Sequence, residues 1–341
     1  MDPTLTTAPH SDPTLVYRYR DGLYAADLLI VGLHLDFFSW LNANPSTRAQ
    51  ICAAHGFANR PADVLLTLFS AMGFLHHRGD VFRLTDTGRE HLVKDSPWYL
   101  GPYYPTLADR PIGQDLLNVL RTGKPANWGT HQAGKDWHAA MESEEFAASF
   151  TAAMDCRGLY LAQSVAAAVD LRHHQHLLDI GGGSGVYACV LAAHNSHLRA
   201  TVLDKPPVDR IASAAIAKRG LADRVSVVGR DMLVEALPPG PDVHLLSNVL
   251  HDWDTPVIED LLRKSFDALP AGGLVVVHEA FLNAEKTGPL HVAEYSVLLM
   301  HASEGRCYSV AEMEGYLSAA GFSGCAYVSG AAARGIMTAR K

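Results

Sequence analysis

Residues 176–194 read HLLDIGGGSGVYACVLAAH. An apolar run ends in Asp179, alternate glycines follow, and a second apolar segment begins at once, which is the pattern of a buried strand, a tight turn and a buried helix. Gly181, Gly183 and Gly185 give the turn the backbone freedom needed to close around a ligand. A dinucleotide fingerprint needs its third glycine one residue later, where Val186 stands, so the spacing departs from that of a pyrophosphate cradle. Asp204 ends the next strand, RATVLD, where a carboxylate can accept both hydroxyls of a ribose. Asp231 ends VVGRD, positioned for an adenine amino group. Acidic strand ends around a glycine turn predict a cationic nucleoside ligand without phosphates.

Outward from this loop the texture is uniform. Strand-like and helix-like segments alternate from HLLDI to the C-terminus, which predicts an α/β fold with a mostly parallel sheet and helices on both faces. The N-terminal part reads differently. Residues 16–41 are apolar at near-helical spacing, too densely for a helix with a fully wet face, and predict helices buried in a partner surface. STRAQICAAHGF, with Ser46 as helix cap, then RPADVLLTLFSAMGFL and the short alternating piece HHRGDVFRLTD give helix, turn, helix and a two-stranded wing. The predicted domains are a winged-helix-like dimerisation domain at 1–105, a helical bridge lining the substrate pocket at 106–170, and a Rossmann-like cofactor-binding domain at 171–341.

A winged helix raises DNA recognition, but its arginines are interleaved with acids and the chain carries a net charge of -8, so no basic stripe emerges. Nucleic acid is not an expected partner, and a regulator that only senses the nucleoside is the minority reading. The 5 cysteines form no CxxC pair, which fits a reducing cytoplasm. No stretch has the length and apolarity of a membrane span, and MDPTLTTAPHSDPT reads as a frayed leader.

The segment VLHDWD at 249–254 follows the apolar run DVHLLSN, so it sits at a strand exit. A histidine beside an aspartate there is a general base with a partner, a pair of metal ligands, or two loop residues. LLDIGGGSG, VLD, GRDM, NVLHDWD and AGGLVVVHEAFL, in that order, resemble the S-adenosylmethionine-dependent small-molecule methyltransferases, and the winged-helix start resembles their plant-type and bacterial O-methyltransferase family in particular. The resemblance implies a seven-stranded sheet with a final antiparallel hairpin near CAYVSG and GIMTARK, and a homodimer with interlocked N-terminal domains. It also implies cofactor contacts at Asp179, Gly181, Gly183, Gly185, Asp204, Asp231 and Met232, with Ser247 near the methionine tail.

By the same resemblance His251 removes a proton from a substrate hydroxyl, and Glu279 is one of two acids that orient it. Cys307 stands where the second is expected, so the orienting shell is incomplete. This tips the reading toward another assignment. His251, Asp252 and His301 would form a two-histidine, one-carboxylate triad for a metal ion (iron, zinc or similar) that chelates an α-keto acid and acidifies its β-carbon. The site then resembles that of metal-dependent α-keto acid C-methyltransferases of nonribosomal-peptide pathways. The reading taken forward is β-carbon methylation of an arylpyruvate or branched-chain keto acid in secondary metabolism, with O-methylation of a phenol by His251 as the alternative. Met154 matches a position beside substrate and cofactor, and Arg157 is a candidate for a substrate carboxylate. His173, His174 and His176, clustered ahead of a buried strand, are expected to be structural, and His291 to be packed or solvated.

Overall fold

The computed structural model describes residues 1–9, 11–126 and 140–341, with ten strands among them. Three short ones, β1 (Ser46–Thr47), β2 (Leu75–Arg78) and β3 (Val81–Leu84), form an antiparallel sheet in the order β1-β3-β2. The helices Arg48–His55 and Asn59–Ala71 precede the β2–β3 hairpin, giving the expected helix, turn, helix and wing. β1 adds a third strand to the expected two-stranded wing. Thr47, not Ser46, caps the first of these helices. Its side chain and that of Gln50 form a reciprocal capping box, which a serine one residue earlier cannot complete.

The other seven strands are β4 (His176–Ile180), β5 (Arg199–Asp204), β6 (Val225–Gly229), β7 (Val243–Ser247), β8 (Leu274–Glu279), β9 (Ser323–Ser329) and β10 (Gly335–Arg340). They form one sheet in the order β6-β5-β4-β7-β8-β10-β9. The pairs among β4 to β8 are parallel, and β10 runs antiparallel to both β8 and β9. All six residues of β8 are buried, whereas β9 at the edge is mostly exposed. The continuous apolar runs of β7 and β8 follow from burial on both faces.

The chain divides into two compact units, and the division differs from the one read from the sequence. One holds the described residues of Met1–Thr14, Trp137–Phe281 and Val310–Lys341; the other holds those of Leu15–Asp136 and Leu282–Ser309. Non-local contacts set these bounds. The Leu282–Ser309 segment is tied into the winged-helix unit where Asp63 meets Arg48 at 2.6 Å, Lys286 at 2.6 Å and Arg306 at 3.3 Å, and where Arg60 donates to the Gly305 carbonyl at 2.8 Å. In the sheet unit, the helix Glu144–Ala168 approaches the helix Val186–His194 so closely that a Cβ on Gly158 would lie 2.5 Å from Val186 Cγ1. The part of the predicted helical bridge at 127–139 lies outside the described residues. Among the described residues no single helix is long and apolar enough to cross a membrane.

The N-terminal leader is docked rather than frayed. Pro3–Leu5 makes a 3₁₀ turn, Leu5 is 0% exposed, Gln163 Nε2 donates to the Leu5 carbonyl at 2.9 Å, and the Asp2 N–H donates to the Arg219 carbonyl at 3.2 Å. One buried leucine overrides a composition that by itself reads as disorder. Leu5→Ala should therefore cost about 2–5 kcal/mol, the usual range for a fully buried leucine, seen as a lower melting temperature; an unchanged melting temperature would show that the leader contributes nothing to stability.

Candidate active site

At the C-terminal end of β4 the chain turns through Gly181, Gly183 and Gly185, with φ of 65°, 56° and 73°. Side chains are disfavoured at each position. Gly181 also lies under the loops that follow β6 and β7, since a Cβ there would stand 3.1 Å from Val249 Cγ2 and 3.6 Å from Met232 Sδ. The structure thus gathers the glycine turn, Met232 and the start of the VLHDWD segment. Asp204 holds the turn from β5, accepting from the Gly183 N–H at 2.9 Å and the Lys205 N–H at 2.8 Å. Ser184 hydrogen-bonds Asp155 of the helix Glu144–Ala168, and Arg219 grips the same carboxylate at 2.6 and 2.7 Å. Asp155 therefore fastens the helix bearing Met154 and Arg157 to the glycine turn.

Burial shifts the acids of this site. Asp179 is pushed up to about 7, mainly by burial, and its Oδ1 finds no hydrogen-bond partner among the described residues. Asp204 is raised to about 6, also mainly by burial and against the pull of its two N–H donors. A buried carboxylate beside a half-buried one suits a cationic ligand with hydroxyl groups. Asp231 spends Oδ1 on the Leu233 N–H at 2.8 Å, closing its own turn, and Lys264 Nζ holds that turn through the Met232 and Leu233 carbonyls at 3.1 and 2.7 Å.

The loop after β7 carries His251. Ser247 Oγ lies 2.8 Å from His278 Nδ1, and Asn248 turns the chain into Leu250–Asp252. Three successive N–H groups then converge on one oxygen of Glu279, from Val249 at 2.9 Å, Leu250 at 2.9 Å and His251 at 3.4 Å. The other carboxylate oxygen takes His251 Nδ1 in a short hydrogen bond, with Glu279 only 3% exposed. With its hydrogen on Nδ1, the imidazole carries its lone pair on Nε2, which lies 3.8 Å from Asp252 Oδ1. Arg157 is half-buried on its helix. Its charge opposes the burial that raises Tyr187 to about 12 and adds to the burial that lowers His278 to about 3.

The expected metal triad gains no support. His251 Nδ1 is bound to Glu279, and the ring of His301 lies 4.8 Å from that of Tyr24, with its Nε2 3.7 Å from Asp115 Oδ2. Among the described residues no three His, Cys, Asp or Glu side chains gather to hold a metal ion. Glu279 uses both of its oxygens, one on the backbone of the loop and the other on the His251 ring. Cys307 is fully buried, its N–H donating to Ser296 Oγ at 3.0 Å. Of the other histidines, His174 is buried 3.2 Å from Asp242 and His176 lies 2.8 Å from Thr201 Oγ1, both structural contacts. Sequence reasoning missed Asn248, His278, Asp155 and Arg334, which surround the reactive loop or glycine turn. Asn248 alone left a signal, as a residue type that tolerates left-handed backbone.

Asp179 makes a pH prediction. Its carboxyl titrates near 3.8 unfolded and about 7 folded, so the folded chain holds the extra proton between those values, and this group's share of stability falls as pH rises through them. Asp179→Asn should then gain melting temperature relative to the parent protein from about pH 4 to pH 7 and hold a constant gap above. Parallel pH curves for the two proteins would refute the raised carboxyl.

Comparison with known proteins agrees with this architecture. Residues 114–323 match the O-methyltransferase domain family. The chain is 31% identical over 313 residues (91% of this chain, 90% of the relative) to 3-hydroxy-5-methyl-1-naphthoate 3-O-methyltransferase of Streptomyces sahachiroi. It is also 31% identical over 314 residues (89% and 84%) to L-tyrosine C(3)-methyltransferase of Streptomyces lavendulae. An O-methyltransferase family 2 protein from Planctomyces limnophilus, solved in complex with apigenin, superposes with a TM-score of 0.88 at 29% identity, covering 99% of this chain and 98% of that one. The chain is therefore a member of the O-methyltransferase domain family and an S-adenosylmethionine-dependent methyltransferase.

Proposed function

We propose that the protein methylates a phenolic hydroxyl of an aromatic small molecule in secondary metabolism, with His251 as general base. The observation that carries this reading is Glu279, whose two oxygens fix both the backbone and the ring of His251. S-adenosylmethionine supplies an electrophilic methyl group on a sulfonium. The residues of the chain do the rest. Asp204 is placed to accept from the ribose hydroxyls, and Asp179 brings a negative charge that ionises readily beside a cation. Gly181 and Gly183 let the backbone approach. His251 Nε2 takes the phenolic proton, the phenolate oxygen attacks the methyl carbon in line, and the imidazolium formed is stabilised through Nδ1–H by the Glu279 carboxylate.

Arg157 acts on Tyr187 and His278, which neighbours Ser247, the position matched to the methionine tail. We assign its charge to the cofactor carboxylate before that of a substrate. A second reading, favoured by the tyrosine C(3)-methyltransferase relative, keeps the same base. A phenolate is nucleophilic at its ortho carbon as well as at oxygen. The keto-acid reading loses its support with the metal ligand set. Homodimerisation is proposed for the N-terminal helix Thr14–Asp21, where Leu15, Val16 and Tyr19 are 66%, 72% and 84% exposed, and would appear as twice the 36.9 kDa chain mass by light scattering.

The decisive assay uses S-adenosylmethionine with a methyl-¹³C label, apigenin or 3-hydroxy-1-naphthoate as acceptor, and phenylpyruvate as the competing keto acid, with and without chelator. The expected product carries the label on a phenolic oxygen, and chelator has no effect. His251→Ala should lower kcat by about 10²–10⁴, the usual contribution of a positioned base. Arg157→Met should raise the KM for the cofactor and leave that for the phenol unchanged. Labelled β-carbon on phenylpyruvate, abolished by chelator, would restore the metal reading.

A further inference from the structure

Asn248 stands between β7 and the N–H groups that hold Glu279, and its φ is 54°, left-handed for a residue that is not glycine. The next residue, Val249, returns to the right-handed region at φ -117° and ψ -51°. The left-handed turn at Asn248 leaves its own N–H on the His278 carbonyl at 2.9 Å and turns the chain so that the N–H groups of the next three residues face Glu279 Oε1. The Asn248 side chain is held on both ends. Nδ2 donates to Tyr187 Oη and to Ser247 Oγ, each at 3.2 Å, and Oδ1 accepts from Arg334 Nε at 3.3 Å.

Arg334 lies in the turn between β9 and β10, far along the chain, yet it is only 4% exposed. Its turn is unusual. Ala332 and Ala333 both have positive φ, at 49° and 59°, and Arg334 Nη1 donates to the Ala332 carbonyl at 3.3 Å. Consecutive left-handed alanines persist only where surrounding contacts over-determine them, and such strain gathers at working sites. What this turn delivers is a buried guanidinium onto Asn248.

We propose that Asn248, clamped by Arg334 of the C-terminal hairpin, is the positioning residue that fixes the tautomer of His251. The inference rests on His251 being the general base. Neither residue touches the reacting atoms. Arg334 holds Asn248 in its left-handed turn, the turn aims three N–H groups at Glu279, and Glu279 so held keeps hydrogen on Nδ1 of His251.

Two-bond ¹H–¹⁵N spectra of the full-length protein labelled with [¹⁵N]histidine report the tautomer of each imidazole without any substrate, and the His251 signals are those lost in His251→Gln. The parent protein should show His251 with hydrogen on Nδ1. In Arg334→Met and Asn248→Ala a second set of His251 cross-peaks, from the other tautomer, should appear. Asn248→Gly, which accepts positive φ freely, should stay closer to the parent than Asn248→Ala. Calorimetric affinity for the cofactor checks that each variant is folded, and if Asn248→Ala is not, Arg334→Met and Asn248→Gly decide. Parent-like His251 signals in every folded variant would overturn the clamp while leaving the base reading intact. Hydrogen on Nε2 in the parent protein would instead contradict the base reading itself.

Discussion

The site depends on one buried carboxylate. Glu279 is 3% exposed, and a charge so placed is tolerated only when donors surround it. Three N–H groups of residues 249–251 answer one oxygen and the imidazole of His251 answers the other. Hydrogen bonds to an ionised acceptor are roughly twice as strong as neutral ones. The loop after β7 is therefore bound to the end of β8, and the ring cannot rotate without leaving a buried charge under-satisfied. Ordinary strand pairing sets this up, since Ser247 sits opposite His278 in the parallel β7–β8 register and brings both strand ends to one level.

The cofactor side obeys a different constraint. Its acids are buried or half-buried before any ligand arrives, and burial is the main cause that raises Asp179 and Asp204, with a neighbouring carboxylate adding to it in each case. A cationic ligand reverses that penalty, so binding and ionisation are coupled. Asp155 links this side to the helix bearing Arg157 by holding Ser184 of the glycine turn together with Arg219.

Features carried by local pattern are legible in the sequence. The β4 run, the alternate glycines and the acids at the end of β5 and just after β6 are short stretches read from periodicity or punctuation, whereas the final hairpin comes from the resemblance. Glu279 as the partner of His251 comes from the resemblance and agrees with the geometry. The misreadings concern contacts between distant residues. The leader docks because Leu5 finds a buried place beside Gln163, which composition cannot express. Residues 282–309 join the winged-helix unit through Asp63. The expected triad of His251, Asp252 and His301 has no supporting group of metal-binding side chains among the described residues. Cys307 is buried where the resemblance expects an acid, and the hold of Glu279 on the loop 249–251 becomes visible only when that loop is seen folded onto it.

A double-mutant cycle on kcat tests most directly whether Glu279 acts through His251. With the phenol that the protein turns over, Glu279→Gln is expected to lower kcat by at least about tenfold in the parent protein. It should cost almost nothing further when added to His251→Ala, because the group it serves is already gone. Equal losses from Glu279→Gln in both backgrounds would contradict the account, since the carboxylate would then contribute by some route that does not pass through the imidazole.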